Sequence, residues 1–291
     1  LCIEGAIHVM VENRYHVDML DETRLKERIS AYSLVVIGEQ DPISPDLEEI
    51  LESYVSAGGI LLITGSHLAE KHPRLTGVVA AGEPREEEWC MASRGETFTL
   101  PGPWAPVTPT DGTIYAHVIE HHQLTEPPHA GETGYPGVTI RKVGKGSVAA
   151  IHGSFMDPYS RSHNPRMRMF ISDLLDTLNV RRKVEVSGPP GLEVTLRSRD
   201  DFLFVNLVNR ATNPSLTPRF QIVEEVPPAY GVQVRLRMDR EPAAATLEPG
   251  GRELEWSYGN GWFEASLPRV DIHDIVAVRV GKGETKGGQT V

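Results

Sequence analysis

Two short apolar runs, Leu34–Ile37 (LVVI) and Ile60–Thr64 (ILLIT), flank a single amphipathic segment. This arrangement constrains the fold more than any other feature of the chain. A run that is apolar at every position is buried on both faces, as strands of a parallel sheet are. Between the runs, Ser44-Pro45 opens a helix, with Ser as N-cap, Pro in the first turn, and Asp46, Glu48 and Glu49 at the positive end of the dipole. Leu47, Ile50, Leu51, Tyr54 and Val55 share one face of that helix, and Gly58-Gly59 stops it. Upstream, Gly5–Asn13 has helical spacing, His16–Leu20 (HVDML) reads as a strand, and Thr23–Ala31 reads as a helix opened by Asp21 and Glu22. The β-α-β-α-β order predicts a parallel sheet covered by helices, with ligands bound at the carboxyl ends of its strands.

Residues 68–135 read as irregular, rich in Pro, Gly and acids (EPREEE, LPGPWAPVTP), with one strand at Thr113–Ile119. Regular pattern resumes with a hairpin, Gly137–Val143 and Ser147–Ile151 around Gly144-Lys145-Gly146, and a helix at Arg166–Leu178. After about residue 183 the periodicity changes to short alternating runs. These are Leu192–Leu196, Phe202–Asn209, Gln221–Val223, Val232–Arg237, Ala245–Leu247, Leu254–Tyr258, Trp262–Leu267 and Ile275–Val280. Regular short strands separated by turns predict an antiparallel sandwich. The expected organisation is an α/β domain over residues 1–183, an all-β sandwich over 184–281 and a disordered tail over 282–291. A length of 291 residues also suits two domains.

Charge narrows the partners. Lys+Arg total 29 against 40 Asp+Glu, a net of −11, which repels phosphate backbones and anionic lipid. The one tight basic cluster is Arg181-Arg182-Lys183, so neither nucleic acid nor a membrane surface is expected as partner. The longest apolar runs are too short to span a bilayer. Cys2 and Cys90 are too few for a disulfide framework and favour a reducing compartment; the expected location is cytoplasmic. No signal peptide pattern is present, and the lack of an initiator Met points to a piece of a longer protein.

The segment Ser33–Gly65 (SLVVIGEQDPISPDLEEILESYVSAGGILLITG) resembles the amidotransferase-like domain that follows the catalytic barrel of many bacterial glycoside hydrolases. Its best-known version is the trimerisation domain of the family 42 beta-galactosidases, and related architectures occur in fucosidase-like enzymes. The resemblance continues through Gly134–Val138, Gly144–Val148 and the last helix. Pro227-Pro228, Val232–Leu236 and Pro268–His273 are similar to the small β-sandwich that ends such enzymes. The resemblance implies a flavodoxin-like, class I amidotransferase-like α/β fold followed by a sandwich. It also implies a missing amino-terminal catalytic barrel, a missing first strand, and a homo-oligomer formed through the α/β domain. The chain itself would be non-catalytic and use no cofactor.

Working class I amidotransferases carry a Cys on the turn after the strand equivalent to Ile60–Thr64, and a later His with a Glu two residues on. Here the turn reads Thr64-Gly65-Ser66-His67, and the late strand ends at His152 with Ser154 in the Glu position. A remnant dyad of Ser66 and His152, steered by Asp157, would make the chain an amidotransferase-like hydrolase. The ordinary reading is a turn that closes the fold, since no GxSxG elbow is present. Glu39, Asp41, Ser66 and His67 would share the ligand-binding edge of the sheet, where the acids could hold a sugar hydroxyl or simply sit in solvent.

Four histidines, His117, His121, His122 and His129, lie close in sequence. The strand character around them separates the ligand positions, so no metal site is expected. Trp89, Trp104, Tyr115 and Tyr135 read as packing anchors, as an interface between subunits, or as sugar contacts. Trp256, Tyr258, Trp262 and Phe263 flank Gly259-Asn260-Gly261 at hairpin spacing and are best explained by cross-strand pairing. A carbohydrate-binding module is the sharper alternative for that group.

Overall fold

The structure is a computed structural model that describes residues 1–41, 43–119, 131–189, 191–210 and 225–280. The chain forms two compact units. The first takes in Leu1–Val9 and Asp18–Arg181; the second takes in Met10–Val17 and the chain from Arg182 onward. Met10–Val17 joins the second unit through Arg14, whose guanidinium donates to the backbone carbonyls of Val186, Gly188 and Pro189 at 2.6–2.9 Å. A single boundary in the chain does not anticipate this segment.

The chain opens with α1 (Cys2–Glu12), whose residues from Met10 count with the second unit, and the first unit goes on with α2 (Glu22–Arg28), β1 (Leu34–Gly38), α3 (Pro45–Ala57), β2 (Ile60–Thr64), α4 (Leu68–Lys71), α5 (Pro73–Thr76) and β3 (Val78–Ala80). It continues with β4 (Trp89–Ser93), β5 (Glu96–Leu100), β6 (Val107–Pro109), β7 (Thr113–Ile119), β8 (Glu132–Val143), β9 (Gly146–Ile151), α6 (Met156–Ser162) and α7 (Pro165–Thr177). Seven of these strands form one sheet in the order β1-β2-β9-β8-β7-β4-β5. Only β1, β2 and β9 run parallel; the remaining neighbours pair antiparallel. All five residues of β2 are buried, so both faces of the sheet are covered there.

The α3 helix forms as its sequence dictates. Ser44 Oγ accepts from Leu47 N–H, Pro45 sits in the first turn, and Leu47, Leu51, Tyr54 and Val55 are buried. At its end the chain must turn closely under Tyr54, whose hydroxyl donates to Ile60 O and accepts from Ile60 N–H, both at 3.2 Å. A Cβ on Gly59 would stand 2.2 Å from that ring, so only Gly fits. Burial pushes the Tyr54 hydroxyl up to about 12.

Two sequence expectations are corrected here. His16–Leu20 is not a strand: no strand lies beside it among the described residues, Met19 is 73% exposed, and Asp18 accepts from the Tyr32 hydroxyl. Of the expected irregular stretch 68–135, residues 68–119 are not irregular: five strands and two short helices lie within them, and residues 120–130 lie outside the described residues. The hairpin of β4 and β5 turns at Arg94-Gly95, both at positive φ, and buries Trp89, Met91, Phe98 and Leu100. The helix α6 was also not anticipated.

The second unit contains β10 (Val184–Ser187), β11 (Leu192–Arg199), β12 (Phe202–Asn209), β13 (Ala229–Arg237), β14 (Pro242–Glu248), β15 (Arg252–Glu253), β16 (Trp256–Gly259), β17 (Trp262–Val270) and β18 (His273–Val280). One sheet has the order β10-β13-β17-β16, the other β11-β12-β18-β14-β15, and every pairing is antiparallel. Alternate residues of both sheets, such as Val205, Leu207, Val232, Val234, Phe263 and Val276, meet in one apolar core, which makes the unit a β-sandwich. The expected strand at Gln221–Val223 and the expected tail at 282–291 lie outside the described residues. No helix among the described residues is long and apolar enough to cross a membrane.

Candidate functional site

The parallel strands β1, β2 and β9 end on one edge of the sheet, at Glu39, Gly65-Ser66-His67 and His152. Glu39 takes a left-handed backbone conformation, φ +39°, unusual for a residue with a side chain. Its backbone N–H donates to Thr64 O at 2.9 Å and Thr64 Oγ1 at 3.1 Å. Its carboxylate accepts from Thr64 Oγ1 at 3.2 Å and from three successive backbone N–H groups: Phe155, Met156 at 2.6 Å and Asp157 at 3.0 Å. These N–H groups open α6 and have no intrahelical acceptor. Glu39 therefore supplies the cap that α6 lacks in its own sequence, since Phe155 at the cap position carries no acceptor. Its carboxylate faces peptide groups of the chain rather than an open cleft.

Asp41 is engaged as well. Lys71 Nζ donates to it and holds its carboxyl below the ordinary carboxylate range. Next to this pair, His72 is buried with its Nδ1 3.0 Å from Glu48 Oε2, and the His67 ring stands edge-on to it at 6.2 Å between centroids. Burial holds the His67 imidazole below its ordinary range. The Nε2 atoms of both rings are buried without a hydrogen-bond partner.

The structure does not assemble the remnant dyad. His152 is 1% exposed; its Nε2 is 2.9 Å from Thr139 Oγ1, and its Nδ1 has no partner. Neither ring nitrogen reaches Ser66, whose hydroxyl has no hydrogen bond among the described residues. Burial pushes the His152 imidazole down to about 3, so the ring is neutral at ordinary pH. Asp157 turns away and forms a paired contact with Arg161 at 3.0–3.2 Å. A nucleophile needs its base in reach, and its base needs an orienting group; neither link is present.

The aromatic residues of the first unit are mostly interior. Trp89 and Trp104 are 1% and 3% exposed and stack on one another, with ring centroids 6.3 Å apart. Of the three readings of these two residues, packing fits their burial. Arg85 lies over the Trp104 and Tyr135 rings, while Tyr115 packs edge-on against Phe170. In the sandwich, Trp256 and Tyr258 pack against the core, and Trp262 lies under Arg235 and Arg237. His117 lies on β7; His121, His122 and His129 lie outside the described residues. No group of three or more His, Cys, Asp or Glu among the described residues is placed to hold a metal ion.

Neither a protein-family model nor a curated protein sequence matches the chain. Solved structures do. Alpha-L-fucosidase isoenzyme 2 from Paenibacillus thiaminolyticus matches with a TM-score of 0.76 and 19% identity, over 96% of this chain and 45% of that one. A beta-galactosidase from Bacillus circulans sp. alkalophilus matches with a TM-score of 0.63 and 14% identity, over 96% and 37%. The GH42 beta-galactosidase Gan42B from G. stearothermophilus matches with a TM-score of 0.62 and 18% identity, over 94% and 35%. At these identities the likeness is one of fold. The chain spans less than half the length of each of these glycoside hydrolases.

Proposed function

We propose that the chain is the non-catalytic carboxyl-terminal portion of a glycoside hydrolase of beta-galactosidase-like or fucosidase-like type. Its flavodoxin-like, amidotransferase-like α/β unit and its sandwich support a catalytic barrel elsewhere in the protein. The likeness to glycoside hydrolases, nearly complete for this chain and partial for each of them, carries this reading. The state of the sheet edge agrees with it. Glycoside hydrolysis calls for two carboxyl groups facing a sugar across a cleft, yet Glu39, Asp41 and Asp157 are each held by partners within the chain. In this reading the first unit also mediates self-association, and the protein works in the cytoplasm.

The test is an assay of the purified chain against nitrophenyl β-galactosides and α-fucosides, beside the protein carrying its natural upstream residues. The chain alone releases no nitrophenol above buffer, and the longer protein does. Turnover that tracks with the purified chain overturns the proposal, as does a longer protein with no glycosidase activity. Light scattering of both proteins at about 0.15 M salt, where exposed charges are screened beyond about 8 Å, tests self-association; monomers in both cases refute that part.

A further inference from the structure

The outer face of the five-stranded sheet carries a platform that the preceding reading does not use. Val205 and Leu207 of β12 point into the sandwich core, so by strand alternation Phe202 and Phe204 point outward. Their rings lie nearly parallel, 16° apart in plane with centroids separated by 5.8 Å, and both residues are half-buried. The antiparallel register sets their neighbours. Phe202 stands between Arg199 on β11 and Arg279 on β18; Phe204 stands between Arg197 and Ala277.

Three exposed guanidiniums therefore border two adjacent rings on one face. Their own partners are sparse. Arg279 has no hydrogen bond or ion pair among the described residues, Arg197 meets only His16 Nε2 at 3.3 Å, and Arg199 has only Asp200 at 3.8 Å. Two carboxylates of this face are engaged elsewhere, Glu193 lying 3.7 Å from Arg210 and Glu248 accepting from Thr246 Oγ1 and Gly251 N–H; exposed Asp201 lies beside Phe202, and Glu253 lies on the outermost strand, paired with Thr246. In a chain with a net charge of −11, this is a local cluster of arginines with few partners among the described residues.

We propose that this face binds an acidic oligosaccharide, one bearing uronate groups. The C–H face of a pyranose is weakly positive and matches the negative faces of the paired phenyl rings. The planar, forked guanidiniums match carboxylates in two-point contact, which lysines in the same places would not. The choice of a sugar over another anion rests on the glycoside hydrolase reading, while the anionic character rests on the arginines alone.

Isothermal titration of the 291-residue chain at about 0.15 M salt tests this, with oligogalacturonate, neutral β-1,4-galactan and an oligo-dT strand as probes. Oligogalacturonate binds, and galactan binds at least tenfold more weakly. Phe204→Ala, and separately Arg197→Gln with Arg279→Gln, each weaken oligogalacturonate binding at least tenfold. The arginine variants change only exposed side chains and guard against loss of fold, checked by an unchanged melting curve. No binding of oligogalacturonate, equal binding of galactan, tighter binding of oligo-dT, or variants that bind as the parent does would each overturn the proposal. Because the readout is binding, its failure leaves the glycosidase assay untouched, and the reverse also holds.

Discussion

The strand-end edge of the first unit and the outer face of one sheet of the second treat their charged side chains differently. At the strand ends of the first, each acid is fixed by the chain itself: Glu39 by three peptide N–H groups, Asp41 by Lys71, Asp157 by Arg161. On the outer face of the five-stranded sheet of the second, three arginines have few partners among the described residues. A parallel edge must join strands to helices through irregular chain, whose exposed peptide groups need acceptors. An antiparallel sheet satisfies its own backbone, so its outward side chains are not needed as acceptors; some, like Arg235 with Glu185 and Glu264, pair with one another. At the edge where α/β sheets usually bind ligands, the acids hold the chain itself, whereas these arginines of the sandwich have few partners among the described residues.

The largest effects should separate the two cores. Trp89→Ala and Phe263→Ala each remove a fully buried aromatic and should cost about 3–5 kcal/mol. If the units unfold independently, denaturant titration followed by hydrogen exchange shows the first variant lowering only the first unit's transition and the second only the sandwich's. A common shift of both transitions by either variant breaks the comparison.

Next comes the cap. Glu39→Ala leaves three N–H groups without their acceptor and should destabilise the first unit by about 3 kcal/mol, since an orphaned buried donor costs about 1–3 kcal/mol. Glu39→Gln keeps one acceptor oxygen and should cost less. A Glu39→Ala protein as stable as the parent would show that water replaces the carboxylate and that this edge is open after all.

His152 gives the comparison a pH signature. Its folded value, about 3, lies below the unfolded value of about 6.5, so the unfolded chain binds the extra proton between these limits. Stability is full above about pH 6.5 and falls as the pH drops through that window, by up to about 1.4 kcal/mol per pH unit, or roughly 2 kcal/mol at pH 5. Carboxylates titrate in the same range, so the measurement is the difference in slope between the parent and His152→Gln from pH 4 to 6.5. Equal slopes would mean that His152 gains a proton in the folded state.

How much of this was legible in the sequence depended on the range of the interactions. The strands Leu34–Gly38 and Ile60–Thr64 and the α3 helix follow from local pattern, capping and burial, and the sandwich follows from alternation. The β4–β5 hairpin was also readable, in Ser93-Arg94-Gly95-Glu96 followed by alternating Phe98 and Leu100, but the surrounding Pro and Gly obscured it. Glu39 read as an acid of the sheet edge and not as a helix cap, because the three peptide N–H groups that it caps are more than a hundred residues away. His16–Leu20 had strand composition, but composition does not provide a neighbouring strand. The Phe202–Phe204 pair was visible as part of a strand, whereas its arginine neighbours became apparent only through the register.

The smallest expected effect concerns Ser66 and Asp157. Ser66 is partly exposed and has no hydrogen bond among the described residues, so Ser66→Ala removes an oxygen that none of them uses. Asp157→Asn weakens an exposed pair with Arg161 one helical turn away, of a kind worth about 0.3–0.5 kcal/mol. Each should change stability by less than about 0.5 kcal/mol, near the limit of a denaturant titration. Neither should alter turnover of a nitrophenyl ester, because His152 is bound to Thr139 and cannot take a proton from Ser66. A hydrolytic rate that falls at least tenfold in Ser66→Ala and in His152→Gln, but not in Glu39→Gln, would restore the dyad. It would also mean that the ring of His152 swings away from Thr139 in solution, and that the first unit, like the sandwich, keeps a polar group free for chemistry.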